Sequence, residues 1–448
     1  MKFPKLLMLL FTLALFSALS VNAQSSYVTL KGKLKGFNNQ VQIEDMSELQ
    51  YLLPPTAARM ILPDTAGNFS LKFKITSPNY FRLGRNQLYL SPNDDLTVYI
   101  DYGDPNKATF MGAGAEANTY LKNTPFPKGG SFIAAGKNIK NTPEETIATV
   151  EEMALAREKE LASVTKITPE FRRLEVARIK ADLINSIISG NIYSTMKLKL
   201  KDEAAKTFSD SYKKIAAASI AKYSIGFTDP SLMKLVVYRD IAEEVIANGG
   251  KPADIEKIKE FYILSSLVKD MQKQSNKQLL MPYKATIDNF KTPTYKAATL
   301  QMHQYLMAFG KGDTAVDFIA MDQNGQKVKL SSLKGKVIYL DLWATWCGPC
   351  MEEMPSYDKL KAKYAANPNV VFVSLSIDDN EELWKGSLMQ RNADGYQWLI
   401  NRAKLQAYNI VGIPRSLLID QNFKMVNMAA PLPSTTTVVK EIDMLLAN

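Results

Sequence analysis

Residues 336–355 read Lys-Val-Ile-Tyr-Leu-Asp-Leu-Trp-Ala-Thr-Trp-Cys-Gly-Pro-Cys-Met-Glu-Glu-Met-Pro. The apolar run from Val337 to Leu342 is typical of a strand that is buried on both faces. Cys347 and Cys350 follow this strand, and the residues after them predict a helix that Pro355 should kink. The stretch therefore predicts a Cys-x-x-Cys pair at the junction between a buried strand and a helix.

This position has chemical consequences for the two thiols. At the start of a helix, unpaired backbone N–H groups and the positive end of the helix dipole meet. They stabilise a thiolate at Cys347, and a thiolate is the nucleophile in disulfide exchange. Cys350 lies one turn deeper, close enough to form a disulfide with Cys347. The alternative for the pair is a purely structural disulfide.

The context of the pair resembles the active site of the thioredoxins, and more closely the exported TlpA- and ResA-like thiol-disulfide oxidoreductases. The matching motif is Trp346 to Cys350, which includes Gly348 and Pro349. Asp341 matches the buried aspartate beneath the second cysteine of thioredoxins. Glu353 falls where ResA-like proteins carry an active-site acid. The resemblance covers residues 311–448 and implies a C-terminal α/β thioredoxin fold.

A second part of the resemblance lies downstream. The segment Val411-Gly412-Ile413-Pro414, followed by an apolar strand, resembles the cis-proline loop that faces the cysteines in this family. By this resemblance, Ile413 and Pro414 would bind substrate together with Trp346, Gly348 and Pro349. Ser374 is a departure, because thioredoxins have a buried lysine there, and we expect a different proton-handling network.

The resemblance implies an exported thiol-disulfide oxidoreductase without a cofactor. Cys347 would attack a disulfide, Cys350 would resolve the mixed disulfide, and Asp341 would accept the Cys350 proton. The expected partners are disulfide-containing envelope proteins and a membrane thiol electron donor. Because Gly-Pro separates the cysteines and no histidine adds positive charge there, a reductase is favoured over a disulfide oxidase or isomerase.

The N-terminus predicts export. Lys2 and Lys5 precede an apolar run from Leu6 to Leu19, and small residues follow up to Ala23. This pattern is typical of a secretory signal peptide, residues 1–23. The alternative is a membrane anchor, but the run is shorter than the roughly 20 residues that span a bilayer. We therefore expect a periplasmic protein.

Composition excludes several other functions. The chain has two cysteines, both in the motif, and one histidine, His303, so metal sites built from Cys and His clusters are not predicted. His303 lies on a predicted helix and is interpreted as an ordinary surface or core residue. The formal net charge is +10, but the lysines are spread through the chain among acidic residues, so no nucleic-acid partner is predicted.

The rest of the chain divides into two predicted regions before the thioredoxin-like domain. Residues 24–113 alternate in short runs with turn clusters between them, which predicts a small antiparallel β sandwich or barrel. Residues 114–310 have helical periodicity, with helix starts at Thr142-Pro143-Glu144-Glu145 and Thr168-Pro169-Glu170. Residues 380–409 are predicted to form an insert before the cis-proline loop.

Neither of these regions shows a catalytic motif. Gly112 to Ala117 has the glycine spacing of a dinucleotide fingerprint, but Pro125 and Pro127 shorten the following helix, so no cofactor is predicted. A second functional hypothesis remains open at this point. In it, the β and helical regions bind an envelope ligand, and the thioredoxin-like domain is auxiliary.

Overall fold

The structure is a computed structural model that describes residues 27–37, 41–54, 59–249, 255–274, 276–378 and 380–447. The predicted signal peptide and its cleavage site lie outside these ranges. Among the helices in the described ranges, none is both long enough and apolar enough to cross a bilayer. The layout is the predicted one: N-terminal β sheets, a central helical region and a C-terminal α/β domain.

The N-terminal region is a sandwich in which the described residues form two four-stranded sheets, with orders β4-β1-β7-β8 and β3-β2-β5-β6. Its strands are β1 (Tyr27–Lys35), β2 (Val41–Asp45), β3 (Arg59–Ile61), β4 (Asn68–Lys74), β5 (Asn79–Leu83), β6 (Asn86–Leu90), β7 (Asp95–Asp101) and β8 (Thr109–Gly112). Apolar side chains of both sheets, such as Leu30 and Leu83, share one buried core.

One strand pair departs from the predicted antiparallel arrangement. β1 pairs antiparallel with β4 but parallel with β7, with Thr29 opposite Asp95. After β4, the chain crosses to the other sheet to form β5 and β6. It then returns as β7 to the edge of β1 that β4 leaves free, and β7 runs in the same direction as β1. Alternating apolar residues specify which face is buried and not the direction of the partner strand. At this pair, a Cβ added to Gly32 would lie 1.8 Å from the Val98 carbonyl oxygen, so only glycine fits.

The central region is helical. Its helices are α1 (Ala115–Leu121), α2 (Pro143–Ser163), α3 (Pro169–Lys197), α4 (Asp202–Ser224), α5 (Val236–Gly249), α6 (Ile255–Lys273), α7 (Lys277–Asp288) and α8 (Pro293–Ala308). A capping box formed by Thr142 and Glu145 opens α2, and Thr168 caps α3, as the sequence predicts.

The helices and the second β sheet share a core. Tyr80 of β5 donates its hydroxyl to a carboxylate oxygen of Glu175 on α3 at 2.6 Å. Arg178 Nε donates to the same oxygen at 2.9 Å, and all three side chains are buried. The ion pair of Glu175 and Arg178 lies within α3, and the Tyr80 hydroxyl joins it across the boundary, so the sandwich is fixed to the longest helix of the region.

The C-terminal domain contains a seven-stranded sheet within the described residues, with the order β10-β9-β13-β12-β11-β14-β15. Its elements are β9 (Ile319–Asp322), β10 (Lys327–Lys329), β11 (Val337–Trp343), α9 (Gly348–Lys363), β12 (Val370–Ser376), α10 (Glu381–Gln390), β13 (Tyr396–Leu399), β14 (Arg415–Ile419), β15 (Met425–Ala430) and α11 (Thr437–Leu446). The segment predicted as an insert supplies α10 and the sheet strand β13.

Strand β11 is central in this sheet, and all of its residues are buried, as the apolar run predicts. It pairs parallel with β12 and antiparallel with β14. One face of the sheet packs on α9 and α11, where Tyr339 lies in a buried cluster with Tyr357 and Ile442. The opposite face packs on α10 through Trp384. The carboxyl end of β11, where the cysteines follow, is thus held on both sides.

Candidate active site

The two cysteines lie at the start of α9, directly after strand β11. Cys347 is the N-cap residue of the helix, and its sulfur accepts a hydrogen bond from the backbone N–H of Cys350 at 3.2 Å. The pair is joined by a disulfide, with the two Cα atoms 5.3 Å apart. When the disulfide is reduced, the same N–H and the helix dipole are placed to stabilise a thiolate at Cys347.

The surface over the disulfide is uneven. Trp346 is 64% exposed, whereas Cys347 is 5% exposed and Cys350 only 1%. Gly348 and Pro349 are exposed as well. The exposed side of the disulfide is therefore the side of Trp346, Gly348 and Pro349, and Cys347 is the less buried of the two cysteines.

The predicted cis-proline loop borders the same end of β11. The peptide bond between Ile413 and Pro414 is cis. The next residue, Arg415, opens β14 and lies opposite Leu342 in the β11 register. Because Pro414 precedes Arg415 in this register, it lies beside the carboxyl end of β11, from which the cysteine loop leaves. Proline has no N–H, and so this edge of the backbone is free of a donor.

Asp341 is a buried carboxyl group on the face of β11 that α9 covers. It shares this face with Tyr339, because side chains two residues apart on a strand point the same way. Burial raises its pKa to about 7, a hydrogen bond from Ser416 lowers the pKa, and the negative charge of Glu353 raises it. A carboxyl group with a pKa near neutral pH can both take up and release a proton under physiological conditions.

Glu353 lies one turn beyond Cys350 on α9 and is tied to the loop that follows β15. Its carboxylate accepts hydrogen bonds from the backbone N–H of Ser434 at 2.9 Å and from the Ser434 hydroxyl at 2.7 Å. The structure thus places Glu353 near enough to act electrostatically on Asp341, while its own oxygens are held by Ser434.

An acid that was not predicted from the sequence, Asp378, holds the cysteine loop. Asp378, buried after the end of β12, accepts hydrogen bonds from the backbone N–H of Thr345 at 2.9 Å and from its hydroxyl at 2.7 Å. The Ser376 hydroxyl donates to the same carboxylate at 2.7 Å. A carboxylate just beyond the end of a parallel strand that neighbours β11 was the available signal, since such ends share one sheet edge.

No metal centre is found in the described ranges, where no group of three or more His, Cys, Asp or Glu side chains could hold an ion. His303 is a buried residue of α8, and its ring nitrogen lies 2.8 Å from the carbonyl oxygen of Leu280. It is therefore a partnered residue of the helical core, as its interpretation as an ordinary surface or core histidine allows.

Comparison with known proteins assigns residues 310–443 to the Redoxin family model. The chain is 34% identical over 116 residues to the thiol-disulfide oxidoreductase ResA of Bacillus cereus, which covers 26% of this chain and 66% of that protein. It is 32% identical over 112 residues to the thioredoxin-like protein YneN of Bacillus subtilis, covering 25% of this chain and 66% of that protein. The chain thus spans just under two thirds of the length of these relatives.

A solved structure is similar to part of the chain. It is a candidate thiol-disulfide oxidoreductase from Bacteroides vulgatus, 38% identical, with 30% of this chain and 96% of that chain covered and a TM-score of 0.29. The sequence matches to ResA and YneN each cover about a quarter of this chain.

Proposed function

We propose that this chain is a thiol-disulfide oxidoreductase that works through Cys347 and Cys350, because its residues 310–443 match the Redoxin family model and it is similar to the thiol-disulfide oxidoreductase ResA. The observation that carries the proposal is the combination at the carboxyl end of β11: a cysteine pair on a helix N-terminus, a buried acid and a cis-proline loop. A structural disulfide would not need the buried acid.

The proposed reaction begins with the reduced protein. The thiolate of Cys347 attacks one sulfur of a substrate disulfide, forms a mixed disulfide and releases the other substrate sulfur as a thiolate, which takes a proton from water. Cys350 then gives its proton to Asp341 and attacks the sulfur of Cys347. The Cys347–Cys350 disulfide forms and the second substrate thiolate leaves. Two electrons have moved from the protein to the substrate.

Substrate binding in this proposal uses the exposed rim of the site. The backbone of Ile413 pairs with an extended segment of the substrate, and Pro414 keeps that edge open beside the sulfur atoms. Trp346, Gly348 and Pro349 form the opposite rim, where their exposure supports contact with a partner. Glu353 acts at a distance through its charge on Asp341.

We further propose that the protein is exported to the periplasm, where it reduces disulfides of envelope proteins and regains electrons from a membrane thiol donor. The N-terminal pattern of residues 1–23 supports export. The neutral Gly-Pro pair between the cysteines supports reduction as the net direction, because strong oxidants depend on extra stabilisation of the thiolate. An oxidase or isomerase is the alternative.

Purified protein should speed the reduction of insulin by dithiothreitol and should not speed the oxidative folding of a reduced protein. Turbidity from the precipitating insulin B chain reports the first activity, and recovery of a refolded enzyme's activity reports the second. Cys347→Ser is the control and should do neither, because the attacking thiol is gone. Faster oxidative folding without insulin reduction would overturn the reductase assignment in favour of the oxidase alternative.

A further inference from the structure

The two strands that flank β11 each present one serine to Asp341. Register places Ser416 of β14 and Ser374 of β12 directly opposite it. The Ser416 hydroxyl donates to Asp341 Oδ1 at 2.9 Å. The Ser374 hydroxyl is equally buried, but within the described residues it has no hydrogen-bond partner. Of the two serines opposite Asp341, Ser416 hydrogen-bonds to the acid, and Ser374 does not.

Ser416 is itself held by a second hydroxyl. Tyr339 Oη lies 2.9 Å from Ser416 Oγ and donates its proton there or to the carbonyl oxygen of Pro431, 2.8 Å away. Burial raises the pKa of Tyr339, so the phenol keeps that proton. An ionised carboxylate is a stronger acceptor than a phenol oxygen, and therefore the Ser416 proton points at Asp341.

We propose that Ser416 and Tyr339 are positioning residues that prepare Asp341 to accept the proton of Cys350, an inference that rests on the proposed function. Ser416 occupies Oδ1 and stabilises the ionised carboxylate, which leaves Oδ2 as the oxygen that receives a proton. When Tyr339 donates its single hydroxyl proton to Ser416 Oγ rather than to the Pro431 carbonyl, it directs the Ser416 proton towards Asp341. Both residues act through Asp341, without contact with the reacting sulfur atoms in this scheme.

The Ser416 hydroxyl matters because the charged group that acts on Asp341 disfavours its ionised form. On α9, the negative charge of Glu353 raises the pKa of Asp341. Tyr357 on the same helix is buried, and burial raises its pKa. Cys347 and Cys350 do not titrate while they are joined in the disulfide. From α11, the charge of Glu441 acts on Tyr339. The serines on β12 and β14 are neutral. Ser416 is thus the neighbour that favours the ionised form of Asp341, against burial and Glu353.

Removing the Ser416 hydroxyl should move the titration of Asp341 to higher pH, because the ionised form loses its donor. We expect the midpoint in Ser416→Ala to rise by about one pH unit, the effect of a single hydrogen bond to a charged group. Ser416→Thr keeps a hydroxyl and should restore the midpoint. Ser374→Ala, the matched control on the other side of β11, should leave it in place.

The midpoint can be read directly by carbon NMR of the oxidised protein labelled at the aspartate carboxyl carbons, with the Asp341 signal assigned by its loss in Asp341→Asn. Tyr339→Phe should shift the midpoint upwards by less than Ser416→Ala. An unchanged midpoint in Ser416→Ala, or an equal shift in Ser374→Ala, would overturn the inference. Because the oxidised protein performs no exchange, this readout is separate from the proposed function, which the insulin assay tests by itself.

Discussion

Cys350→Ser should abolish turnover and leave the protein covalently attached to its substrates. In the wild type, Cys350 attacks the mixed disulfide from one helical turn away, at high effective concentration. Serine keeps the shape of the buried site and lacks the thiolate, and the chain has no third cysteine to take over. Expressed with its own N-terminus, the variant should run as higher-mass species on non-reducing gels that collapse to one band with reductant.

The matched control is Cys347→Ser, which should trap far less because its remaining thiol is the more buried one. Mass spectrometry of the trapped species would identify the substrates. If Cys350→Ser gives no reductant-sensitive species while the wild-type pair is found reduced in the envelope, disulfide exchange is not the work of this protein. The ligand-binding alternative for the β and helical regions would then take its place.

Asp341→Asn should slow insulin reduction at neutral pH by roughly 100-fold, the lower range for loss of a general base. The amide of asparagine cannot take the Cys350 proton. Insulin-reduction rates should be followed from pH 6 to 9. In the wild type, the rate should rise as Asp341 ionises through its pKa of about 7. In the variant, this rise should be absent, and equal rates for the two proteins across the range would contradict the base assignment.

Asp341→Asn should lower activity but raise the stability of the folded protein at high pH. The folded-state pKa of Asp341 is raised from 3.8 to about 7, so between these values the folded protein binds more protons than the unfolded chain. The free energy of unfolding therefore falls as pH rises through this window and is level above it. Over these roughly three pH units, the free energy of unfolding should fall by roughly 4 kcal/mol. Asp341→Asn should remove this fall and be the more stable protein at pH 8.

Unfolding in urea at pH 4.5, 6 and 8, followed by tryptophan fluorescence, would measure the difference. The chain's four tryptophans, Trp343, Trp346, Trp384 and Trp398, all lie in the C-terminal domain, so the signal reports that domain. A wild-type unfolding free energy that is constant from pH 4.5 to 8 would mean that Asp341 is not held protonated by the fold.

Much of the site was predictable because its central part is local in sequence. The strand from Val337, the cysteines at the helix start and the capped starts of α2 and α3 all depend on residues within a few positions of one another. The family resemblance then located Asp341, Glu353 and the cis-proline loop. For these elements, short-range hydrogen bonding and the period of buried residues already specify the backbone.

What only the tertiary structure decided is how distant strands meet at Asp341 and at the cysteine loop. Ser416 lies 75 residues from Asp341, Asp378 lies 33 residues from Thr345, and Ser434 lies 81 residues from Glu353. The parallel direction of β7 beside β1 was also decided only by the tertiary structure. A strand's own sequence fixes which side chains face the core, but the partner and the register come from the packing of the whole sheet. That register gives Asp341 a donor in Ser416, whereas the Ser374 hydroxyl has no hydrogen-bond partner in the described part of the chain.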